Sequence, residues 1–532
     1  MGPGPFYFLT YGFPTSQAEF GYSSYLTDGF IPLLPEQQGH VRRALEGELA
    51  GGVPTGSYMS LTSVASVTNL YPVFVGQSGA AMNIARTSNL DVSKGFYPYG
   101  TQIGGDIWFS ADIDNPGNSH FHTFTTLHEL GHALGLKHGH EVDFSNYTVL
   151  TPDRDSIEFS VMTYRTHIGD DGEFFEADAP STFMMYDIAA LQYLYGANFS
   201  TNSTDTVYSW NSQGYTFVNG EQKGYSADGK IFMTIWDGGG TDTYDFGSYA
   251  SNLKIDLAPG GWSVLAPGQL ADLNDGFRAR GSVFNALQYD DDPRSLIENA
   301  VGGTGNDEIL GNVANNRLQG GGGADTVHGL SGDDVLFGNS GNDTLMGGDG
   351  ADEMHGGAGI DTIDYSDTGA AIIIRMDQGT ASGSKATGDT FDMIENVFAG
   401  WGNDIIYGDA GANTINGHFG NDTIYGGAGG DHLVGGEGND LLVVTQDFAH
   451  LTGWGGQDTF KISPGTTGYI WDFEATFGLR DKVDVSGVFT SYADLWAHTS
   501  ESGGDTIIAK GTTKIVFKDT ARYWLQQEDF IL

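Results

Sequence analysis

The chain has 532 residues, a formal net charge of −45, 81 glycines and no cysteine. Its length allows two or three domains, and its strong negative charge argues against nucleic acid or anionic membranes as partners. The absence of cysteine excludes a disulfide framework, and no apolar run reaches the length of a membrane span, so stable membrane insertion is not expected. Because aromatic residues make up 12% of the chain, general disorder is not expected either, and the acidity indicates bound cations.

The most specific motif reads HELGHALGLKH and begins at His128. In a helix, His128 and His132 lie four residues apart on one face and can bind the same ion. Gly135 allows the chain to leave the helix, after which His138 can return as a third ligand. Three protein ligands leave an open position on zinc, which is typical of a catalytic site. Glu129 lies next to the first ligand and is predicted to be the general base.

A second segment, Ser160–Tyr164, follows the zinc motif and reads SVMTY. Taken alone, Met162 would be interpreted as core packing. After an extended zinc motif, it resembles the Met-turn of the metzincins, in which a methionine lies beneath the histidines. The two segments together resemble the serralysins, which are secreted bacterial zinc endopeptidases. The resemblance implies that Tyr164 coordinates zinc or swings away to stabilise the transition state.

The resemblance extends to a helix predicted over Asp187–Asn198, which resembles the helix that closes the serralysin catalytic domain. Its apolar residues recur at helical spacing, and Asp187 is expected to hydrogen-bond in the core beneath the site. Residues 1–200 are therefore predicted to form a metzincin-like zinc protease domain of α+β class.

The predicted reaction of this domain is peptide-bond hydrolysis. Zinc would lower the pKa of a water molecule towards about 7 and polarise the peptide carbonyl. Glu129 would accept the proton of the attacking water and pass it to the leaving amine. Tyr164 would donate a hydrogen bond to the oxyanion, worth about 3 kcal/mol if it behaves like other such donors.

Residues 301–461 are predicted to form an all-β, calcium-binding parallel β-roll. Nine-residue repeats of the form GGxGxDxUx run from Gly302 to Asp364, resume over 399–443 and recur at 453–461. Glycine carbonyls and the aspartate carboxylate supply oxygen ligands for calcium, and the apolar eighth residue points into a narrow core. The predicted calcium ligands are Asp307, Asp325, Asp334, Asp343, Asp352, Asp361, Asp404, Asp422, Asp431 and Asp440, with Asp458 in the same position of the last repeat.

Two repeats depart from this pattern, with Asn316 and Asn413 in the aspartate position. Weaker calcium sites are expected there, because a neutral amide binds calcium less strongly than a carboxylate does. The strict spacing argues against a glycine-rich linker. The repeats resemble the RTX repeats that serralysins carry after the protease domain. Residues 365–398 interrupt the register and are predicted to be an insertion.

A longer duplication surrounds the repeats. The segment Asp242–Asp245 leads to Ile297–Asn299 and the first block, and Asp361–Asp364 leads to Ile394–Asn396 and the second block. The roll is therefore predicted to be built twice. Residues 201–300 are predicted to be a β-rich junction leading into the repeats.

The two ends of the chain predict its export route. Residues 1–14 lack the charged region and apolar core of an N-terminal signal peptide. Residues 462–532 are predicted to form a β-region, and its end, Glu528–Leu532, resembles the uncleaved signal of type I export. A last β-strand is an equal alternative for those residues. Secretion to the extracellular space is the expected outcome.

The predicted function is that of a secreted zinc-dependent endopeptidase acting on extracellular proteins, with one catalytic Zn²⁺ and several structural Ca²⁺ ions. The expected partners are protein or peptide substrates and the type I secretion apparatus, with room for a proteinaceous inhibitor, and the chain is expected to be a monomer. The alternative is a calcium-dependent RTX adhesin or surface-layer protein with a vestigial protease domain. A pore-forming toxin ranks last, because the chain lacks long amphipathic or apolar segments.

Overall fold

The chain folds into two compact units, Met1–Val301 and Gly302–Leu532. None of the described helices combines the length and hydrophobicity that a membrane crossing requires. The first six residues, part of the start predicted to lack a signal peptide, lie outside the described part. The computed structural model describes residues 7–20, 22, 25–46, 63–76, 80–98, 103–111, 119–142, 148–170, 178–226, 228–474 and 480–532, the side chains of residues 25, 36 and 119–122 excepted.

The first unit combines short helices with several sheets. Its described α-helices are α1 (Tyr25–Asp28), α2 (Pro35–Glu46), α3 (Val64–Val67), α4 (Ser119–Ala133) and α5 (Met185–Tyr195). Its described strands are β1 (Tyr7–Gly12), β2 (Phe30–Ile31), β3 (Leu70–Phe74), β4 (Met82–Thr87), β5 (Lys94–Gly95), β6 (Ile107–Ser110), β7 (Val207–Trp210), β8 (Tyr215–Val218), β9 (Glu221–Tyr225), β10 (Met233–Ile235), β11 (Thr243–Asp245), β12 (Lys254–Asp256), β13 (Trp262–Ser263), β14 (Val283–Asn285) and β15 (Asn299–Val301).

One sheet supports the helix that carries the zinc motif. Its strand order is β3-β1-β4-β6-β5, with β2 paired to β4. Strands β1, β3, β4 and β6 run parallel, whereas β5 pairs antiparallel with β6 at the edge. Helix α4 presents Leu127 and Leu130 to the core, and Leu134, directly after the helix, joins them there. Ile188 and Leu191 of α5 join the same core, so the two helices are held by a shared apolar layer.

The stretch 201–300 is rich in strands and belongs to the first unit. Strands β7, β8 and β9 form an antiparallel meander, and β11 lies parallel between β7 and β15. Strand β14 pairs parallel with β10 and antiparallel with β13.

The second unit is almost entirely β-structure, with one described α-helix, α6 (Tyr492–Ala497). Its described strands are β16 (Glu308–Asn312), β17 (Arg317–Gly322), β18 (Thr326–Ser331), β19 (Val335–Ser340), β20 (Thr344–Asp349), β21 (Glu353–Ala358), β22 (Thr362–Asp364), β23 (Ile373–Arg375), β24 (Thr380–Ser382), β25 (Thr390–Asp392), β26 (Asn396–Phe398), β27 (Ile405–Tyr407), β28 (Thr414–Asn416), β29 (Thr423–Tyr425), β30 (Gly430–Glu437), β31 (Leu441–Val444), β32 (Phe448–Gly455), β33 (Thr459–Ile462), β34 (Thr467–Ile470), β35 (Lys482–Asp484), β36 (Thr499–Ser502), β37 (Asp505–Lys510), β38 (Thr513–Phe517) and β39 (Phe530–Ile531).

The repeat strands form a parallel β-roll, in which each strand pairs with the strand two repeats further along the chain. Ile309 pairs with Val327 and Val327 with Leu345 on one side, and the neighbouring sheet repeats the pattern. Two nine-residue repeats therefore make one turn. The predicted burial of the apolar eighth residue is confirmed, because its side chain is fully buried in each aspartate-bearing repeat of the first block: Ile309, Val327, Leu336, Leu345, Met354 and Ile363.

The segment 365–398, predicted as an insertion, takes part in the roll. Its strand β25 pairs with β21, β26 pairs with both β22 and β28, and β23 pairs with β27. Strand β24 departs from the parallel pattern, because it pairs antiparallel with both β23 and β25. The roll therefore passes through this segment without a break between the two repeat blocks.

Candidate metal centres

Three imidazole rings converge at the end of α4. Nε2 of His138 lies 3.2 Å from Nε2 of His128 and 3.0 Å from Nε2 of His132, and all three side chains are buried. Nδ1 of His128 lies 2.7 Å from the Val161 carbonyl oxygen, and Nδ1 of His132 lies 2.9 Å from that of Leu136. Carbonyl oxygens only accept, so each Nδ1 carries the proton and each Nε2 presents a lone pair. This donor set fits a zinc ion.

The local backbone explains how these side chains meet. Helix α4 ends at Ala133, and Gly135 adopts φ +102°, a left-handed conformation that favours glycine. The Leu136 amide donates to the Gly131 carbonyl (2.8 Å), which reverses the chain and brings His138 towards the helix. Burial lowers the pKa of His128 to about 3, with the neighbouring His132 as the next cause, so this ring stays neutral and able to bind a metal.

Glu129 lies beside the histidines in a buried position. Its Oε2 accepts a hydrogen bond from the backbone amide of Gly95 in β5, and burial raises its pKa to about 7. Gly95 leaves no room for a larger residue, because a Cβ there would lie 2.0 Å from the Glu129 carbonyl oxygen. The edge strand therefore packs directly on the helix turn that carries Glu129.

Met162 and Tyr164 lie on two sides of the histidine cluster. Met162 is buried, and its Sδ would lie 2.4 Å from a Cβ at Gly131, so it packs beneath the turn between His128 and His132. Tyr164 is half exposed, and its ring centroid lies 4.3 Å from that of His138. The phenol thus borders the space that the imidazoles face, on the solvent side.

Asp187 connects α5 to the segment beneath the zinc motif. Its Oδ1 accepts from the Ser160 hydroxyl (2.6 Å), and its Oδ2 accepts from the amides of Val161 (2.7 Å) and Met184 (3.0 Å). Burial raises its pKa to about 6, which the hydrogen bonds oppose. Because the Val161 carbonyl holds His128, this carboxylate indirectly positions a histidine.

We expect Asp187→Ala to destabilise the first unit by about 3 kcal/mol, because three buried donors lose their acceptor. The same change should weaken zinc binding roughly 10-fold, as loss of outer-shell partners does elsewhere. Thermal unfolding and zinc competition titration measure the two effects. Asp153→Ala, at an exposed carboxylate, is the control. An unchanged zinc affinity would contradict the proposed link through Val161.

The repeat aspartates form ladders along the roll. The Asp307 amide donates to Oδ1 of Asp325 (2.8 Å), and the Asp325 amide donates to Oδ1 of Asp343 (2.8 Å). In both of these hydrogen bonds the donor and the acceptor lie 18 residues apart. Among the described residues, the second carboxylate oxygen is buried without a hydrogen-bond partner at Asp325, Asp334, Asp343, Asp352, Asp361, Asp422, Asp440 and Asp458.

These unpartnered oxygens face glycines together with backbone carbonyls. A Cβ at Gly329 would lie 2.2 Å from Oδ2 of Asp334 and 2.6 Å from the Gly347 carbonyl oxygen. Glycine is therefore required there, and its absent side chain leaves a space bordered by a carboxylate and a carbonyl. Such an oxygen set fits calcium. Burial is the largest cause that raises the pKa of Asp334 to about 6.

The predicted calcium ligands do not all have this geometry. Oδ2 of Asp307 accepts from the Gly303 amide (2.6 Å), and that of Asp404 accepts from the Gly400 amide (3.1 Å). Asp431 keeps its place in the ladder, with Oδ1 accepting from the amide of Asn413 (3.1 Å). Asn316 bonds through both side-chain atoms to Asn312, at 2.7 and 3.1 Å. An amide at this position is thus satisfied within the protein.

Comparison with known proteins agrees with this architecture. Residues 197–378 match the family model described as "Peptidase M10 serralysin C terminal", and residues 398–433 and 407–442 match the RTX calcium-binding nonapeptide repeat. Serralysin G from Dickeya chrysanthemi is 37% identical over 244 residues, which cover 44% of this chain and 46% of the relative. The chain is a serralysin homologue.

Other relatives of this serralysin homologue carry similar names. Serralysin from Proteus mirabilis is 33% identical over 42% of this chain and 43% of its own length. Metalloprotease AprA from Pseudomonas entomophila is 34% identical over 40% and 43%. The chain spans less than half the length of the curated relatives it matches. The extracellular lipase LipA from Serratia marcescens, a solved structure, matches at 16% identity with a TM-score of 0.17, covering 65% of this chain and 69% of that one.

The structure of this serralysin homologue adds residues that its motifs did not indicate. Oε1 of Glu141 lies 2.8 Å from Nδ1 of His138, where a carboxylate can orient the ring. Its spacing three residues after the third histidine is a signal that sequence reasoning could have used. Gly95 had no such signal, because its contact with Glu129 joins segments that are distant in sequence.

Proposed function

We propose that this serralysin homologue is a secreted zinc-dependent endopeptidase whose RTX repeats fold with calcium. The observation that carries the proposal is the convergence of three imidazole Nε2 atoms beside the buried Glu129. The relatives are named serralysins and a metalloprotease, which favours a protease over a calcium-dependent adhesin or surface-layer protein. The catalytic domain is proposed to comprise residues 1–200, with a metzincin-like fold.

In this proposal His128, His132 and His138 hold the zinc ion. When bound, zinc supplies Lewis-acid polarisation of the peptide carbonyl and a lowered pKa for water. The carbonyl oxygens of Val161 and Leu136 accept from Nδ1 of His128 and His132, respectively. These hydrogen bonds keep the proton on Nδ1 and leave Nε2 unprotonated. Glu141 orients the third ring through its Nδ1. These contacts prepare the site before substrate arrives.

Proton transfer is assigned to Glu129. This carboxylate takes up the proton of the attacking water and delivers it to the leaving nitrogen of the peptide. We assign to Tyr164 a hydrogen bond donated to the oxyanion that develops on the carbonyl. Its side chain is half exposed, and its phenol oxygen can also serve as a zinc ligand. Met162 supports the histidines from below and takes no part in the chemistry.

The calcium part of the proposal explains the acidity of the chain. Buried carboxylates need a cation or a proton, and calcium is plentiful outside cells. The RTX repeats therefore favour export before folding, through a type I secretion apparatus that recognises Glu528–Leu532. In the folded protein Phe530 and Ile531 form β39, which pairs parallel with β35. Protein or peptide substrates, a monomeric state and a proteinaceous inhibitor stay predictions.

Casein cleavage by the calcium-loaded, full-length protein tests the proposal. We expect cleavage that stops with 1,10-phenanthroline, continues with its non-chelating 1,7 isomer and returns when zinc is added. Metal analysis of the same samples should show the loss and return of zinc. Failure of calcium-loaded protein to cleave in a chelator-sensitive way would favour the adhesin or surface-layer alternative.

A further inference from the structure

We propose that the segment between the two repeat blocks builds a calcium site of its own at Asp361. The Met393 carbonyl and the Glu395 carboxylate replace the ligands that a following repeat would supply. Neither residue belongs to a nonapeptide repeat. The inference rests on the proposed calcium-dependent folding and assigns one calcium site to the junction between the two repeat blocks.

The regular turns of the roll define what a complete site contains. A Cβ at Gly338 would lie 2.4 Å from Oδ2 of Asp343 and 2.6 Å from the carbonyl oxygen of Gly356, one turn further along. The Asp343 amide donates to Oδ1 of Asp361 (2.8 Å). Each regular turn thus places one carboxylate oxygen without a hydrogen-bond partner and one backbone carbonyl oxygen next to a glycine. The aspartate one turn further along supplies a second carboxylate.

At Gly356 the repeat that should follow is missing, yet the arrangement is preserved. A Cβ at Gly356 would lie 2.0 Å from the Met393 carbonyl oxygen and 2.7 Å from Oδ2 of Asp361. Met393 adopts φ +52° although its side chain is exposed. That left-handed conformation is unfavourable for methionine, and packing of the exposed side chain does not explain it. It directs the Met393 carbonyl over Gly356, where a glycine carbonyl lies in the other turns.

Glu395 takes the place of the next rung of the ladder. The Asp361 amide donates to its Oε2 (2.8 Å), the same bond that Asp343 makes to Asp361. Oδ2 of Asp361 is fully buried and has no hydrogen-bond partner within the part of the chain that the structure describes. Two carboxylates and a carbonyl therefore meet at a point where an oxygen-binding cation is needed.

The same pairing recurs in the first unit, at the other copy of the duplicated segment. The Asp242 amide donates to Oε2 of Glu298 (2.7 Å), and the Asn299 side chain donates to Thr243 (3.3 Å). The Asn396 side chain likewise donates to Thr362 (3.3 Å) in the second unit. Because both copies of the duplicated segment contain this contact, Glu395 belongs to a repeated structural motif and not to a chance contact of the segment 365–398.

Calcium counting on the full-length protein tests the site, by native mass spectrometry and calorimetric titration of Glu395→Gln. We expect one bound ion fewer than in the wild type and a calcium midpoint of folding at least 3-fold higher. Glu353→Gln is the matched control, because Glu353 is exposed on β21 and pairs with His355; its ion count and midpoint should equal those of the wild type.

The outcomes separate this inference from the proposed function. Wild-type protein that binds calcium, with an identical ion count and midpoint for Glu395→Gln, would overturn the site alone. Wild-type protein that binds no calcium would overturn the calcium part of the proposed function as well. If Glu395→Gln does not fold in excess calcium, Glu395→Asp is compared. Recovery of folding and of the ion count by this shorter carboxylate supports the site, and failure to recover either opposes it.

Discussion

Replacing Glu129 with glutamine is expected to lower peptidase turnover by roughly 10²–10⁴-fold, the usual contribution of a general base. Zinc content should not change, because the three histidines bind the ion without Glu129. Glutamine has nearly the same shape and still offers an oxygen to the Gly95 amide, so β5 should keep its place. Measurement of kcat and kcat/KM on a fluorogenic peptide, with zinc analysis of the same protein, tests both parts.

The control for this experiment is Glu221→Gln, at an exposed carboxylate of β9. It should retain wild-type activity and zinc. If the Glu129→Gln variant binds zinc and stays active, another group must be the general base. An inactive variant that has lost zinc would instead show that Glu129 acts on the structure of the site.

Removal of calcium at pH 8 is expected to unfold the second unit. Among the described residues of the second unit, eight buried carboxylate oxygens have no hydrogen-bond partner, and each unsatisfied buried polar group costs about 1–3 kcal/mol. Together these costs are as large as the usual net stability of a domain, about 5–15 kcal/mol. Far-UV circular dichroism and limited proteolysis should report the loss of β-structure with EGTA and its return with calcium.

Magnesium provides the control for ion identity. It prefers a tighter octahedral shell and retains its waters, so it should not restore the β-structure that EGTA removed. Persistence of the full β-signal in EGTA at pH 8 would show that the roll is stable without an ion and would contradict the assigned role of the aspartates.

Acidification should partly substitute for calcium. Burial raises the pKa of Asp325 and Asp440 to about 7 and that of Asp422 to about 8, with neighbouring aspartates adding to the effect. The ordinary value is 3.8, so the calcium-free fold takes up protons that the unfolded chain has already released. Its stability is therefore expected to fall as the pH rises from about 4 to 8. Far-UV circular dichroism of the calcium-free protein at pH 5 and pH 8 tests the sign; more β-structure at pH 8 than at pH 5 would contradict it.

Local periodicity accounts for the features that could be predicted from the sequence. Helical spacing places His128 and His132 on one face of α4, and the left-handed Gly135 returns His138 to them. The nine-residue repeat likewise determines the roll, because each unit provides one strand, one turn and one inward apolar side chain. Strands β16 to β21 follow this period without interruption.

Contacts between distant segments account for what the sequence could not show. The packing of β5 on α4 decides that Gly95 holds Glu129, and the packing of α5 decides that Asp187 supports the segment beneath His128. No spacing rule encodes either pair, because their separation in the chain is arbitrary.

The segment 365–398 shows the same division. Its broken register indicated an interruption, whereas β23, β25 and β26 continue the roll and bring Glu395 to the Asp361 ladder. The sequence alone determined a zinc motif and a calcium-repeat roll, because both are periodic and local. Only the tertiary structure decided which non-repeat residues complete them, because strand pairing can bring together oxygen atoms from any two positions along the chain.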